Sequence, residues 1–292
     1  MPDVRCLTAP GAALGESPVW SAIEGCVYWV DITGRKLHRT TPATAETQSW
    51  AMPGLIGMCA LRRVGSLVVA LADGLYGFDP ESEALDYLTQ LEAPPHENRP
   101  NDGKCDAAGR LWVGTMNAAE KNLASGSLYR VDPDLTVTEI ESTLGIPNGL
   151  AWSPDDRTMY HTDTRAGVVR SWAFDVASGQ RTGPTDFFTF DRAVSGAVDG
   201  AAMDCQGGYW AALYGGGKLI RVLPDGVIER EIPLPVSQPT MPAFGGADMK
   251  TLFVTSASQN LDPAALKAQP EAGALFAVDV DIAGHAVHAF AG

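Results

Sequence analysis

One short β-rich unit recurs six times along the 292 residues, and that repetition limits the possible folds more than any other feature. Each copy has a small apolar segment, a polar turn, and then a strand with an aromatic or β-branched centre. Ser17–Trp20 leads into Cys26–Val30, Met58–Leu61 into Ser66–Ala70, and Gly103–Asp106 into Arg110–Gly114. Gly149–Trp152 leads into Thr158–Thr162, Gly200–Met203 into Gly208–Ala212, and a weaker copy, Ala243–Gly246, into Thr251–Thr255. The central residues Tyr28, Val68, Trp112, Tyr160, Trp210 and Phe253 are separated by 40, 44, 48, 50 and 43 positions. Units of this length, each with room for about four short strands, predict an all-β chain folded as a six-bladed β-propeller. The segments Gly126–Asp132, Lys218–Leu223 and Gly273–Val278 supply a further strand at a matching place in their units. With 31 Gly and 20 Pro punctuating the chain, the best helix candidate is Pro263–Gln269, a turn or two long. Residues 1–292 are expected to form one propeller domain, with one blade built from both chain ends, which closes the ring and removes an open edge.

In a propeller, equivalent positions of the units converge on the axis, so a polar residue that recurs at one phase meets its copies in space. Counting back 11 or 12 residues from each central residue reaches Glu16, Ile56, Asn101, Asn148, Asp199 and Met241. Four of these carry side-chain oxygens and sit just before the first apolar strand of their unit. Two carboxylates brought close repel unless a proton or a cation lies between them. A divalent metal would neutralise the pair and take the Asn carbonyls as neutral ligands. An all-oxygen set suits Ca²⁺, Mg²⁺ or Mn²⁺, and less readily Zn²⁺ or Fe²⁺. Three or four protein ligands leave open positions for water and substrate. Asn and Asp before a strand are also ordinary turn residues, and Asn148-Gly149 and Asp199-Gly200 are common turn dipeptides. Recurrence at one phase favours the site over the turn.

Charge narrows the partners. The net charge of -14 opposes binding to nucleic acid or to anionic lipid, and no basic stripe offsets it. The five cysteines are scattered with no C-x-x-C, against a disulfide framework or a zinc knuckle. Neither a signal-peptide pattern nor an apolar run of about 18 residues is present, so a cytoplasmic protein is expected. Full ring closure makes a monomer the expected state.

Other chemistries leave marks that this sequence lacks. There is no G-x-S-x-G elbow, and no H-E-x-x-H or H-x-H among the five histidines. His161, mid-strand, reads as an interior residue rather than a ligand. Gly215-Gly216-Gly217-Lys218 has no phosphate-loop spacing and reads as a hairpin turn.

The residues at these phases carry a resemblance. Gly15–Trp20, Arg99–Lys104, Gly114–Met116, Pro147–Trp152 and Val198–Gly200 resemble the SMP-30/gluconolactonase family, which includes regucalcin. The match continues into Phe244–Gly246 and Gln269–Gly273 and so spans nearly the whole chain. Any one motif is weak, whereas the ordered set is specific. The resemblance implies a six-bladed propeller that hydrolyses a sugar lactone with one divalent metal. It implies Glu16, Asn148 and Asp199 as metal ligands, with Asn101 beside them contacting substrate or water, and Arg99 binding the substrate's ring oxygens. In the animal proteins Gly-Thr-Met leads into two acidic residues that help bind sugar hydroxyls. Here Asn117 and Ala118 follow Met116, so that contact comes from Asn117, from Glu120, or from neither.

The expected reaction is hydrolysis of an aldonolactone such as glucono-, xylono- or arabinonolactone to the aldonic acid. Asp199 is the expected general base, with Asn101 and Arg99 steadying the oxyanion and the ring. The loop 120–125 is a candidate lid. Three rivals stay open: another metal-dependent esterase or phosphotriesterase of the same architecture, a calcium-binding regulatory propeller, and a protein-interaction propeller. The last lacks the Trp-Asp dipeptide of WD40 blades.

Overall fold

In a computed structural model that describes residues 3–94, 96–120 and 123–292, the chain forms six four-stranded antiparallel sheets. The innermost strands are Gly15–Ser21, Ile56–Leu61, Asn98–Cys105, Pro147–Trp152, Ala197–Met203 and Pro239–Gly245. Each of them packs against the next and the last against the first, so the sheets close a ring around an axial channel. Blades 1 to 5 run outward in chain order. The sixth carries the N-terminal strand Val4–Cys6 on the outside of Phe276–Asp279, paired antiparallel as Val4 with Val278 and Cys6 with Phe276. Both chain ends therefore share one blade, as the repeat pattern predicts. Closure of this kind replaces an open edge by a ladder that neither end can leave alone.

Blades pack through the apolar faces of neighbouring sheets. Tyr28 and Val30 of blade 1 share a core with Ile56, Cys59 and Val69 of blade 2. Trp112 of blade 3 meets Trp152 and Phe174 of blade 4 edge-on, at 6.1 and 5.8 Å between ring centroids. That is the range in which aromatic pairs add to simple area burial. Two buried carboxylates brace the blade turns. Asp106 accepts from Ala108 N, Arg110 N, Arg110 Nε (2.7 Å) and Trp112 Nε1 (2.9 Å). Asp204 does the same in blade 5 with Gln206 N, Gly208 N, Trp210 Nε1 (2.8 Å) and Arg221 Nε (2.6 Å).

All six innermost strands carry a bulge at one height. Glu16 pairs with Val30 and Val19 with Tyr28, so three steps on the inner strand meet two on its partner. The same extra residue falls between Ile56 and Met58, Pro100 and Gly103, Asn148 and Ala151, Val198 and Ala201, and Pro239 and Pro242. A bulge breaks the strict in-out alternation and re-aims the side chains beside it. Here it turns them toward the axis.

The bulge also corrects the phase of blade 2. Measured from the turn that follows each inner strand, blades 1, 3, 4, 5 and 6 place Glu16, Asn101, Asn148, Asp199 and Met241 at one level, and blade 2 places Gly57 there. Ile56 is fully buried in the core between blades 1 and 2. A side chain at Gly57 would collide with Pro100 O, at 2.2 Å from the added carbon, so blade 2 gives the axis only backbone.

The helix Pro263–Ala268 falls where the sequence predicts it, its first turn capped by Asp262, which accepts from Ala265 N at 2.8 Å. The glycines 215–217 form a turn between adjacent strands, as expected.

Candidate metal and active site

One open cleft of about 370 Å³ at an end of the channel is lined by Glu16 of blade 1, Arg99 and Asn101 of blade 3, Asn148 of blade 4 and Asp199 of blade 5. The Asn148-Gly149 and Asp199-Gly200 dipeptides lie in the strand bulges rather than in hairpin turns. Gly149 sits at φ 67°, and a Cβ there would lie 2.5 Å from the Tyr209 hydroxyl, which itself donates to Gly149 O. The glycine is thus what lets Asn148 reach the axis at a bulge against a neighbouring blade.

A chain of hydrogen bonds fixes the amides. Arg99 Nη1 donates to Asn101 Oδ1 at 2.8 Å and to Pro100 O at 2.8 Å. Asn101 Nδ2 donates to Asn148 Oδ1 at 2.9 Å, and Asn148 Nδ2 to Thr164 Oγ1 at 2.9 Å. The Thr164 hydroxyl ends the chain on Val198 O at 2.8 Å, one residue before Asp199. Each donor choice follows from the next, so Asn148 is held with its carbonyl oxygen turned to Asn101 and one lone pair of that oxygen still unused.

The carboxylates are in a costly position. Glu16 and Asp199 are each over nine-tenths buried. Burial, and next the Asp199 charge, raise the Glu16 pKa well above the ordinary carboxylate range, against the Ser17 N–H that Glu16 Oε2 accepts at 2.9 Å. Burial lowers the Arg99 pKa to about 10, while Glu16 and Asp199 pull it up. Tyr214, across the cleft, is raised by burial and further by Asp199 and Glu16. A divalent cation among Glu16, Asn148 and Asp199 fits this donor set. It would offset the repulsion that raises Glu16, and its ligands would be hard oxygens.

The structure does not bring every expected residue to the cleft. Asn117 is buried with its carbonyl oxygen accepting from Ala119 N at 3.0 Å and Glu120 N at 2.7 Å, so it shapes the loop that follows. Strand alternation sends its neighbour Met116 to the cleft instead. Glu120 is exposed, and neither Asn117 nor Glu120 is among the described residues that line the cleft. Of the candidate lid, residues 121 and 122 lie outside the described residues. His161 is buried beside Trp172, and burial lowers its pKa to about 3, which keeps it a neutral packing residue.

Three residues escape the sequence reading. Thr164 orients Asn148 from a short 3₁₀ turn, Thr164–Ala166, capped by Asp163. Asp102, next to Asn101 in the bulge, is buried and accepts from Leu150 N at 3.0 Å. Lys104 reaches from blade 3 to Ala201 O of blade 5 at 2.6 Å. The Asp102 pKa is raised by burial and drawn down by Lys104, and that of Lys104 is lowered by burial. Both lie in the inner strand Asn98–Cys105, which already carries Asn98, Arg99 and Asn101, so two more polar residues there give no separate signal in the sequence.

Residues 14–258 match the family model described as SMP-30/Gluconolactonase/LRE-like region. The chain belongs to this SMP-30/gluconolactonase family. Its sequence is 37% identical over 290 residues to 6-deoxy-6-sulfogluconolactonase of Pseudomonas putida, covering 99% of both chains. It is 33% identical to regucalcin of Xenopus laevis, over 99% of this chain and 98% of that one. The crystal structure of regucalcin from Agrobacterium tumefaciens, described as a calcium-binding protein, superposes with a TM-score of 0.94 at 31% identity, over 99% of this chain and 97% of that one. The expected family and the six-bladed fold are both borne out.

Proposed function

We propose that the protein hydrolyses a sugar lactone to the aldonic acid, with a divalent cation held by Glu16, Asn148 and Asp199. The observation that carries this reading is the meeting of those three side chains with Asn101 and Arg99 in one cleft, two of them buried carboxylates in mutual repulsion. Relatives named as lactonases, at 37% and 35% identity over nearly the full chain, support the substrate class. When bound, the cation would polarise the lactone carbonyl and make water a better nucleophile at neutral pH.

The chain's own residues do the rest. Asp199 takes the proton from the attacking water at a carboxylate oxygen, as a general base positioned beside the carbonyl. Arg99 donates N–H groups to the ester and ring oxygens, where charge develops as the ring opens, and Asn101, whose two amide hydrogens meet Pro147 O and Asn148 Oδ1, holds Arg99 in place through Oδ1. The Arg99 planar fork, already tied to Pro100 O and Asn101, gives up little freedom on binding. Met116, Ile146 and Leu14 form apolar wall that limits water around the ester. The proton held on Asp199 then passes to the leaving alkoxide, which becomes the hydroxyl of the open acid.

Arg192 lies at the same cleft and is exposed. The P. putida relative is named for a lactone bearing a sulfo group, and Arg192 is a cation suited to such an anion. The test is a pH-indicator assay on protein stripped of metal and reloaded with Ca²⁺, Mn²⁺, Mg²⁺, Fe²⁺ or Zn²⁺, across glucono-, xylono-, arabinono- and 6-sulfogluconolactones. The reading requires turnover of at least one lactone that depends on added metal. Metal binding with no turnover of any lactone would leave only a calcium-binding propeller.

A further inference from the structure

At the other end of the channel, residues 281–292 run as a strap beneath the blades. Cys205 N donates to Ala283 O at 2.9 Å, Gly284 N to Met249 O at 2.8 Å and His285 N to Met203 O at 2.8 Å. Further on, Phe290 N donates to Leu61 O at 2.8 Å and Ala291 N to Gly109 O at 2.9 Å. The strap thus joins blades 5 and 6 to blades 2 and 3. Between these anchors, His285 and His288 roof a small apolar cavity of about 50 Å³ whose walls include Cys59, Cys105, Trp152 and Phe244. Blade 4 meets the strap through Asp156 of the turn Ser153–Asp156.

There the side chains assemble a ligand set. His288 Nε2 lies 3.3 Å from Asp156 Oδ1. The His285 and His288 rings are 5.6 Å apart at 70°. One ligand atom from each of Asp156, His285 and His288 lies within 4.8 Å of the others, and all three residues are half-buried. Tetrahedral zinc with bonds of about 2.0–2.1 Å needs its ligand atoms about 3.3 Å apart. Ring rotations of roughly 1 Å at the donor atoms would close the set, well within side-chain freedom at a half-buried site. Two neutral imidazoles and a carboxylate select Zn²⁺, Co²⁺ or Ni²⁺ over Ca²⁺ or Mg²⁺, the opposite preference to the oxygen set in the cleft.

We propose that Asp156, His285 and His288 form a second metal site, a His₂Asp clasp for Zn²⁺ or a similar transition metal that staples the C-terminal strap to blade 4. Its chemistry is separate from the cleft, since none of the described residues lining the cleft is a histidine. Because a turn of blade 4 and a strap more than 120 residues further along the chain meet at the ion, its binding would order the strap along its length.

The test is Zn²⁺ titration of the full-length protein, followed by ¹⁵N–¹H spectra of the five imidazoles and by hydrogen exchange at the strap amides. The expected result is that the His285 and His288 ring nitrogens shift together at one equivalent, and that exchange at His285 N and Phe290 N slows at least tenfold. H288Q and D156N should each weaken this event at least tenfold. Asn tolerates the φ of 57° at position 156, so D156N keeps the turn. Zn²⁺ that binds without moving either ring, or binding by a folded H285Q/H288Q protein within twofold of the parent, would overturn the clasp and leave an ordinary His288–Asp156 hydrogen bond. If both substitutions impair folding, Co²⁺ added to the unsubstituted protein decides. Intense visible bands of four-coordinate nitrogen ligation support the site, and weak bands from oxygen ligation alone refute it.

Discussion

Two pairs of buried carboxylates lie within one ring, and they are built in opposite ways. Asp106 and Asp204 are fully buried in the blade turns, and each accepts four hydrogen bonds, one of them from an arginine side chain. Their charge is answered within their own blade. Glu16 and Asp199 come from different blades to one cleft, and there Asp199 adds to the burial that raises the Glu16 pKa. Arg99, the cation both of them favour, is tied to Pro100 O and Asn101. Burial alone does not mark a functional carboxylate. What separates the pairs is that the cleft sets one carboxylate's charge against another's, while each blade turn sets a carboxylate against an arginine of its own blade.

The contrast breaks most sharply under substitution. Asp199→Ala should cut lactone turnover by about 10²–10⁴-fold, the range for a lost general base, with the melting temperature of the metal-free protein unchanged or higher. Asp106→Ala should do the reverse. It strands Arg110 in a buried site and should cost about 3–5 kcal/mol of stability by denaturant titration, with kcat at low temperature within twofold of the parent. Equal effects of the two substitutions on stability would erase the distinction.

Thr164→Val probes the hydrogen-bond chain that aims Asn148. It keeps the volume and removes the hydroxyl that Asn148 Nδ2 meets, so metal affinity by calorimetry should fall by about 10–100-fold, the usual cost of losing a group that orients a ligand. The smallest effect is at Glu16. Folding raises its pKa, so the metal-free folded state binds a proton more readily than the unfolded chain. Stability is therefore lost as pH rises from the ordinary carboxylate value through the raised one. Glu16→Gln should remove that loss and make the metal-free protein about 1 kcal/mol more stable at neutral pH, seen as a flatter pH profile of the melting temperature.

The ring was legible because each blade must bury the same faces, so apolar and aromatic residues recur at a period set by the architecture. Glu16, Asn101, Asn148 and Asp199 stand out at one phase of the sequence for the same reason. Blade 2 falls out of phase when residues are counted from the second strand. Turn lengths differ by one residue between blades, and a count through the turn absorbs that difference as 11 or 12. Counted from the turn itself, the same residues align and Gly57 replaces Ile56. The bulges carry no composition signal, since the extra residue is a Ser in one strand, an Asn in another and a Gly in others. Asn117 follows Gly-Thr-Met in the sequence, yet alternation along the strand turns it to the loop and Met116 to the cleft. Thr164 is reached only through tertiary hydrogen bonds, which sequence spacing cannot give.

The most direct measurement is anomalous diffraction from a crystal of the full chain soaked in Mn²⁺. The account predicts one peak in the cleft, within about 2.0–2.6 Å of oxygens from Glu16, Asn148 and Asp199, and none beside Asp106 or Asp204. An empty cleft, with metal-stripped protein opening lactones at the full rate, would contradict it.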